Sequence, residues 1–286
     1  MNTSKTAVMN PKLAALLSTL ALSSMATHLF LLIAIHFLPS SNAQHPEDKD
    51  SIAVGSSTTT LFFDFTWPSF LNLCDRLAPY CGVLCFLAPL PTIRQVSAAK
   101  TVGNLPLLPY SSMVSNGFVW VMYGLLKDLP SVWMSNLMGV ALGSYYFFVF
   151  TRHCGPLAVN LPGTVSQHLK GASGIILFNL MLPGVLTKDF SSDIIGKEGV
   201  VFCIVLFASP LAALKHVILT KSAVSIPLPF TLACTLNCAL WSTVGLWKMR
   251  DFNIYFPNLL GLSCALAQLG LKGIYGNQVV KAGLPK

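Results

Sequence analysis

Charge is what this 286-residue chain has least of. Asp, Glu, Lys and Arg make up 10% of its residues, against roughly 25% in a typical soluble domain. Apolar residues make up 53%, and the mean hydropathy is +0.65. Because so few charges cannot cover a surface exposed to water, the composition predicts a polytopic membrane protein.

Motifs typical of metal-binding, nucleotide-binding and catalytic sites are also missing. The six histidines have no metal-binding spacing, the eight cysteines include no CxxC pair, and no nucleotide-binding loop or nucleophile motif occurs. The sequence therefore predicts no metal site, no cofactor and no enzyme activity. The net charge of +8 does not indicate nucleic acid, because the basic residues punctuate apolar runs instead of clustering.

Seven apolar segments organise most of the chain, each near the ~20 residues that an α-helix needs to cross ~30 Å of hydrocarbon. This predicts an all-α fold with seven transmembrane helices. The approximate limits of the segments are 74–95, 107–126, 131–151, 171–187, 199–219, 227–247 and 252–275.

A further apolar run, Leu13 to Leu38, lies ahead of these segments and follows two lysines. The small residues Ser41 and Ala43 stand where a signal peptidase cleaves, so residues 1–43 are predicted to be a signal peptide. A retained signal anchor and an organelle-targeting element are the alternatives. Residues 44–73 then form an exterior linker.

An internal duplication gives the segments their order. The stretch Asn116 to Lys127, NGFVWVMYGLLK, returns 121 residues later as Asn237 to Lys248, NCALWSTVGLWK, with five of twelve positions identical. Pro89 to Gly139 is the smallest repeat unit, and its last matches have an offset of 122, so one residue is inserted in the second copy. Repeats of hydrophobic segments are typical of transporters.

The duplication predicts a 3+1+3 arrangement, because segment 171–187 has no partner. Two three-helix units joined directly would have opposite orientations, and one extra crossing makes them parallel. The predicted parts are a first three-helix bundle (74–152), a linker helix (153–190), a second bundle (191–276) and a cytoplasmic tail (277–286).

The distribution of charge predicts the orientation. If the first segment begins outside, the inner side carries nine basic residues and the outer loops five, in agreement with the positive-inside rule. All ten acidic residues then lie outside or at outer helix ends. The N-terminus is predicted outside and the C-terminus in the cytoplasm, in the plasma membrane or alternatively in an intracellular membrane.

The motifs of both copies together resemble the SWEET sugar transporters over residues 74–275. The resemblance implies a uniporter that moves mono- or disaccharides down their gradient by alternating access. Sugar and membrane lipid are the expected partners, and a homo-oligomer is left open. The motifs are PLPT (89–92), LPY (108–110), NGFVWVMYG (116–124), SNLMG (135–139), SPLAALKHVILTKS (209–222), Trp241 and FPNLLG (256–261).

The duplicated polar and aromatic positions are the candidate sugar-binding residues. Trp120 and Trp241 offer a flat apolar face and one N–H donor, and their alternatives are interfacial anchoring or core packing. Asn136 and Asn258 both donate and accept, and the alternative for them is contact between helices. The resemblance adds four pocket positions, which are Asn116, Asn237, Cys85 and Leu206.

The resemblance also implies moving parts. Four prolines are predicted hinges, although static kinks are the alternative and Pro229 competes with the last of them. They are Pro89, Pro109, Pro210 and Pro227. Tyr123, Lys127 and Asp251 resemble an outer gate, and Val244 replaces the tyrosine expected in the second copy.

Together these features predict bidirectional facilitated transport of a monosaccharide such as glucose, since Asn116 and Asn237 are bulkier than serine and narrow the cavity. A proton-coupled PQ-loop-type exporter of small solutes such as amino acids is the alternative. Such an exporter is expected to carry Pro-Gln dipeptides and intramembrane carboxylates. A seven-helix receptor fits less well, because receptors lack this duplication.

Overall fold

The computed structural model describes residues 66–155, 163–206 and 208–276. Within these ranges all regular secondary structure is helical. The predicted signal segment 1–43, most of the exterior linker 44–73 and the tail 277–286 lie outside the described residues. The helices are α1 (Trp67–Leu87), α2 (Leu90–Ala99), α3 (Leu108–Leu126), α4 (Pro130–His153), α5 (Val165–Val185), α6 (Lys188–Leu206), α7 (Ala208–Thr220), α8 (Leu228–Thr243) and α9 (Phe252–Tyr275).

Two of the predicted segments begin earlier than their hydropathy indicates. Helix α1 begins at Trp67 and not at residue 74, because the Thr66 side chain caps it by accepting from the Ser69 backbone N–H. Helix α6 begins at Lys188 instead of residue 199 and takes in Asp189. An acidic residue is favourable in the first turn of a helix, so the polar stretch from Lys188 extends this span.

The first of these segments contains a break. The range Trp67–Ala99 is interrupted between α1 and α2, at Ala88 and Pro89. Proline has no backbone N–H, so it ends the preceding helix and begins the next one. In the range Lys188–Thr220, α6 and α7 lie on either side of residue 207, which is outside the described residues.

Five helical ranges of the described chain are long and apolar enough to span a membrane, against the seven predicted. Helix α3 falls short because it is enclosed by other helices and carries buried Ser111, Ser112 and Ser115. Helix α5 falls short because it carries His168 and Asn179, which are both fully buried. A helix that faces protein needs less apolar surface than one that faces lipid.

The helices pack as two similar groups. Helix α3 packs most closely on α4, and α8 on α9. We call α1–α4 the first half and α6–α9 the second half. The halves meet where α1 packs on α8 and where α3 packs on α6, while α5 contacts α3 and α6. Large apolar side chains such as Leu84, Met181 and Leu219 are exposed on the outside, as expected for a surface that faces lipid.

The duplication is visible in the backbone. Among the residues that the structure describes, four other than glycine have positive φ angles, which L-residues rarely adopt. They form two repeat-related pairs, namely Lys100 (57°) with Lys221 (53°) and Asp128 (55°) with Arg250 (52°). The first pair has the 121-residue offset and the second the 122-residue offset. Both halves therefore make the same left-handed turns at equivalent points.

The inserted residue of the second copy is found as a π-helical turn. In the first half the Lys127 N–H donates to the Tyr123 carbonyl, four residues back. In the second half the Met249 N–H donates to the Val244 carbonyl, five residues back, within the turn Val244–Lys248. One extra residue in an α-helix is accommodated in this way. The insertion therefore widens the end of α8 without changing the packing before it.

In each half, two consecutive helices approach each other closely at a glycine. A Cβ atom added at Gly124 would lie 2.8 Å from the Trp133 backbone nitrogen, and one at Gly245 would lie 2.8 Å from that of Tyr255. Since real Cβ contacts are longer, only glycine allows the paired helices to approach this closely at both turns.

Candidate functional site

A cavity of about 210 Å³ lies between the two halves. Its wall receives side chains from α1, α3, α4, α6, α8 and α9, and no Asp, Glu, Lys, Arg or His is among them. The lining residues are Gly82, Phe86, Asn116, Trp120, Val132, Ser135, Asn136, Cys203, Asn237, Cys238, Trp241, Ile254, Pro257 and Asn258.

Most of this wall consists of equivalent positions of the two copies. Six pairs share the offset of 121 or 122 residues, and they account for twelve of the fourteen lining residues. The cavity therefore lies on the approximate symmetry axis that relates the halves. The pairs are Gly82/Cys203, Asn116/Asn237, Trp120/Trp241, Val132/Ile254, Ser135/Pro257 and Asn136/Asn258.

The two tryptophans line the cavity, as the sequence predicts. Trp120 is 8% and Trp241 is 7% exposed. The Trp120 ring stands edge-on to Tyr123 with 5.6 Å between ring centroids, and a Cβ added at Gly199 of α6 would lie 3.0 Å from it. The indole is thus held between α3 and α6, which leaves a flat apolar surface for a ligand.

The asparagines Asn136 and Asn258 are anchored identically. The Asn136 Nδ2 donates to the Val132 carbonyl over 2.8 Å, and the Asn258 Nδ2 donates to the Ile254 carbonyl over 2.7 Å. These bonds to the preceding turn orient each amide with its nitrogen toward its own helix. Each carbonyl oxygen is then available as an acceptor for a ligand that carries hydroxyl groups.

The second pair of asparagines differs between the halves. The Asn116 Oδ1 lies 3.8 Å from the Cys203 Sγ. The Asn237 Oδ1 is buried and has no hydrogen-bond partner within the part of the chain that the structure describes. A buried acceptor without a partner is costly, so this atom favours a polar ligand in the cavity.

Two predicted pocket residues are not part of the wall. The Cys85 Sγ faces the Cys234 Sγ at 3.9 Å, and Leu206 is 38% exposed. Their near neighbours Phe86 and Cys203 line the cavity in their place. The remaining lining residues that sequence reasoning missed lie next to a predicted residue or one helical turn from it, so helical spacing could have found them.

Three of the predicted hinge prolines lie at a helix break or a helix start. Pro89 caps α2 at the break after α1, while Pro210 lies within the described helix α7. Pro109 is the second residue of α3, a place that Pro229 and not Pro227 takes in α8. Pro227 is the residue that precedes α8, so the two copies are not equivalent here.

The predicted gate residues meet at one end of the cavity, which we call the Tyr123 end. The Tyr123 hydroxyl donates to the Asp251 carboxylate over 2.6 Å and accepts from the Asn253 Nδ2 over 3.2 Å. Asp251 also caps α9. Lys127 lines a polar recess with these residues, but the described residues give it no ion pair.

An ion pair that sequence reasoning missed lies at the same end. The Lys248 Nζ donates to the Asp75 Oδ2 over 2.5 Å, with 34% and 20% of the two side chains exposed. Asp75 belongs to α1 and Lys248 to the π-helical turn, so the pair joins the halves. Beside it, the Trp67 and Trp247 rings meet edge-on at 5.8 Å. Sequence spacing carries no signal for a contact between such distant positions.

A helical membrane protein with a neutral polar cavity between duplicated halves belongs to the class of solute transporters. The family described as "Sugar efflux transporter for intercellular exchange" matches residues 76–155 and 193–279. The chain therefore belongs to the SWEET family of sugar transporters, whose members transport sugars and are not enzymes.

Individual relatives agree with this assignment. Bidirectional sugar transporter SWEET7 of Arabidopsis thaliana is 31% identical over 72% of this chain and 82% of its own length. Sugar transporter SWEET1 of Dictyostelium discoideum is 26% identical over 74% of this chain and 95% of its own. A solved eukaryotic SWEET transporter matches with a TM-score of 0.62 and 25% identity, over 72% of this chain and 99% of that one.

The Asp75–Lys248 pair is expected to stabilise the fold measurably. A Lys248→Met substitution leaves a largely buried carboxylate without its partner, and we expect it to cost about 1–2 kcal/mol. The matched control is Lys188→Met, which breaks the Lys188–Asp128 pair, where 56% and 80% of the side chains are exposed. That pair is expected to contribute less than about 0.5 kcal/mol. Thermal unfolding of both variants in detergent measures the difference, and equal shifts would contradict it.

Proposed function

We propose that this chain carries a monosaccharide across its membrane in both directions by alternating access. The observation that supports this most directly is the cavity, because tryptophans and anchored asparagines of two equivalent halves enclose one neutral polar space. A neutral ligand rich in hydroxyl groups matches such a wall. Hydroxyl hydrogens meet the asparagine carbonyl oxygens, and the C–H face of a sugar ring packs on indole.

The size of the cavity supports a monosaccharide over a disaccharide. Its volume of about 210 Å³ is below the roughly 300–1,000 Å³ of sites that hold drug-sized ligands. Asn116 and Asn237 contribute to this narrowness at equivalent points of the wall. Glucose is therefore the expected substrate, and sucrose is expected to move more slowly.

The proposed topology is 3+1+3, with parallel bundles joined by α5. It is supported by the duplication and by the packing of α3 on α4 and of α8 on α9. With the long spans Trp67–Ala99 and Lys188–Thr220 each counted once, the first half has three crossings and the second half three. We place the Tyr123 end outside and the C-terminus in the cytoplasm, in the plasma membrane.

In the proposed cycle, the Tyr123 end closes while the opposite end opens. The Tyr123–Asp251 bond joins the halves and acts as the gate, with Lys127 beside it. Pro89, Pro109, Pro210 and Pro227 act as hinges. Pro89 is best placed for this, because it lies where the long span Trp67–Ala99 is already interrupted.

The hinges predict a separation of binding from movement. Pro89→Ala allows the interrupted span Trp67–Ala99 to join as a continuous helix, and Pro210→Ala removes the equivalent proline of the second copy. Transport should slow in both variants while sugar affinity changes little. Pro130→Ala is the matched control, since Pro130 is exposed and begins α4, where proline is tolerated. Sugar binding and initial uptake rates are measured on the same preparations. Normal uptake by both hinge variants would assign static kinks to these prolines.

The second part of the proposal is that sugar transport is not coupled to an ion gradient. Coupled carriers hold an ionisable group that responds to the ion and to the substrate. The cavity wall has no carboxylate. Glu198, expected at an outer helix end, lies instead within α6, where its Oε2 accepts from the Asn179 Nδ2 of α5. It serves packing of the linker helix there and is not part of the wall.

Glucose is therefore expected to equilibrate across the membrane and never to accumulate. Purified protein in liposomes is loaded with labelled glucose outside, with and without an imposed proton or sodium gradient. Uptake should stop at the external concentration under all conditions, and outward flow should follow when the external sugar is removed.

Protein-free liposomes and labelled sucrose are the controls for this experiment. Glucose accumulation driven by either gradient would contradict the proposal and favour a coupled exporter, with Glu198 and Asp251 as the first groups to substitute. Sucrose uptake as fast as that of glucose would contradict the size argument alone.

The asparagine pair gives a prediction about the site itself. Asn136→Ala and Asn258→Ala each remove an acceptor for sugar hydroxyls, at about 1 kcal/mol or more, and should abolish or strongly reduce uptake. Asn72→Ala is the matched control, because Asn72 is exposed on α1. The amount of protein in the membrane is measured alongside uptake. Normal transport with unchanged affinity in either variant would show that the site is elsewhere.

A further inference from the structure

Two cysteine thiols face each other across the boundary between the halves. Cys85 of α1 and Cys234 of α8 have their Sγ atoms 3.9 Å apart, and both residues are partly buried. The packing of α1 on α8 is one of the main contacts between the halves. The thiols have no role in the sugar site, since neither residue lines the cavity.

The pair lies away from the Tyr123 end. Cys85 is in the last turn of α1, whereas Asp75 near the start of that helix contacts Lys248 at the Tyr123 end. Cys234 is in the second turn of α8, on the far side of Trp241 from the π-helical turn. The thiols therefore join the halves at the end that must open when the Tyr123 end is shut.

The pair also lies directly behind the cavity wall. Gly82 and Phe86, on either side of Cys85, line the cavity, and so does Cys238, one turn along α8 from Cys234. Hydrogen peroxide is a small neutral molecule with hydroxyl groups, so a cavity that accepts a sugar also admits it. An oxidant can reach the thiols by this route.

We propose that Cys85 and Cys234 form a redox-sensitive lock, in which oxidation by a peroxide to a disulfide joins the halves and stops transport. One thiol attacks the O–O bond and becomes a sulfenic acid, releasing a first water. The second thiol attacks the sulfenic sulfur and releases a second water. Two thiols thus lose two hydrogens and two electrons, and the peroxide is reduced to two water molecules.

The geometry requires only a small movement. A disulfide needs its sulfur atoms about 2.05 Å apart, so the thiols must approach from 3.9 Å, which rotation of the two side chains can supply in part. The bond would hold α1 against α8 four residues before Pro89, next to a proposed hinge. The lock rests on the proposed alternating access, because only a carrier whose halves move is stopped by joining them.

The experiment uses the full chain in liposomes, with hydrogen peroxide as the oxidant and labelled glucose as the probe. Peptide mass spectrometry measures the Cys85–Cys234 disulfide, and exchange measures transport in the same sample. We expect a linked peptide lighter by two hydrogens and exchange reduced to that of protein-free liposomes. Dithiothreitol should restore exchange.

Single substitutions distinguish inhibition by the Cys85–Cys234 disulfide from inhibition by oxidation of other thiols. Cys234→Ser should transport normally and resist peroxide, with Cys234→Ala as its substitute if serine impairs folding. Cys81→Ser is the matched control, since Cys81 lies one turn from Cys85 on the same helix, and it should remain sensitive to peroxide.

Each outcome has a defined meaning. Inhibition that persists in Cys234→Ser, a linked peptide without loss of exchange, or no linked peptide at all would each overturn the lock. No glucose exchange by the reduced protein would instead overturn the proposed function, and with it the lock.

Discussion

The stability of a polar cavity inside an apolar protein depends on the hydrogen bonding of its amide groups, because a buried amide without a partner is costly. Asn136 and Asn258 meet this requirement by donating to the preceding turns of their own helices. The same bonds fix which end of each amide faces the cavity. The Nδ2 group of each amide therefore makes the structural hydrogen bond, and the Oδ1 atom is left for a ligand. Neither asparagine needs a second helix to orient it.

The duplication makes most of the cavity wall symmetric, and the single inserted residue makes the two halves differ at the Tyr123 end. Before the insertion, both halves place an asparagine and a tryptophan at equivalent points of the wall. The π-helical turn Val244–Lys248 absorbs the extra residue, and Lys248 pairs with Asp75. Lys127, its counterpart in the first copy, has Gly196 at the position equivalent to Asp75. The wall is thus largely symmetric, whereas the Tyr123 end has different contacts on its two sides.

The features that repeat could be predicted from the sequence, whereas those that depend on the rotation of a helix about its axis could not. Trp120 and Trp241 were predictable in the cavity because a shared position in both copies implies a shared axis. Cys85 was misplaced because its neighbour Phe86 faces the wall, and hydropathy does not resolve a rotation of one residue. Span ends were misjudged because hydropathy records apolar content, whereas Thr66 extends a helix through a capping bond. The 3+1+3 plan, the hinges and the roles of the site residues remain predictions.

The two ends of the cavity differ in what joins the halves. At the Tyr123 end, polar contacts cross from the first half to the second through Tyr123–Asp251 and Asp75–Lys248. At the opposite end, described contacts such as Tyr146 with the Phe86 carbonyl, and Lys272 with the Ala223 carbonyl, stay within one half. Contacts inside a half move with it and do not oppose rocking, whereas contacts between halves must break. In this structure, polar contacts join the halves at the Tyr123 end, and the described contacts between the halves on the other side of Trp120 and Trp241 include the Cys85–Cys234 thiol pair and Asn116 with Cys203.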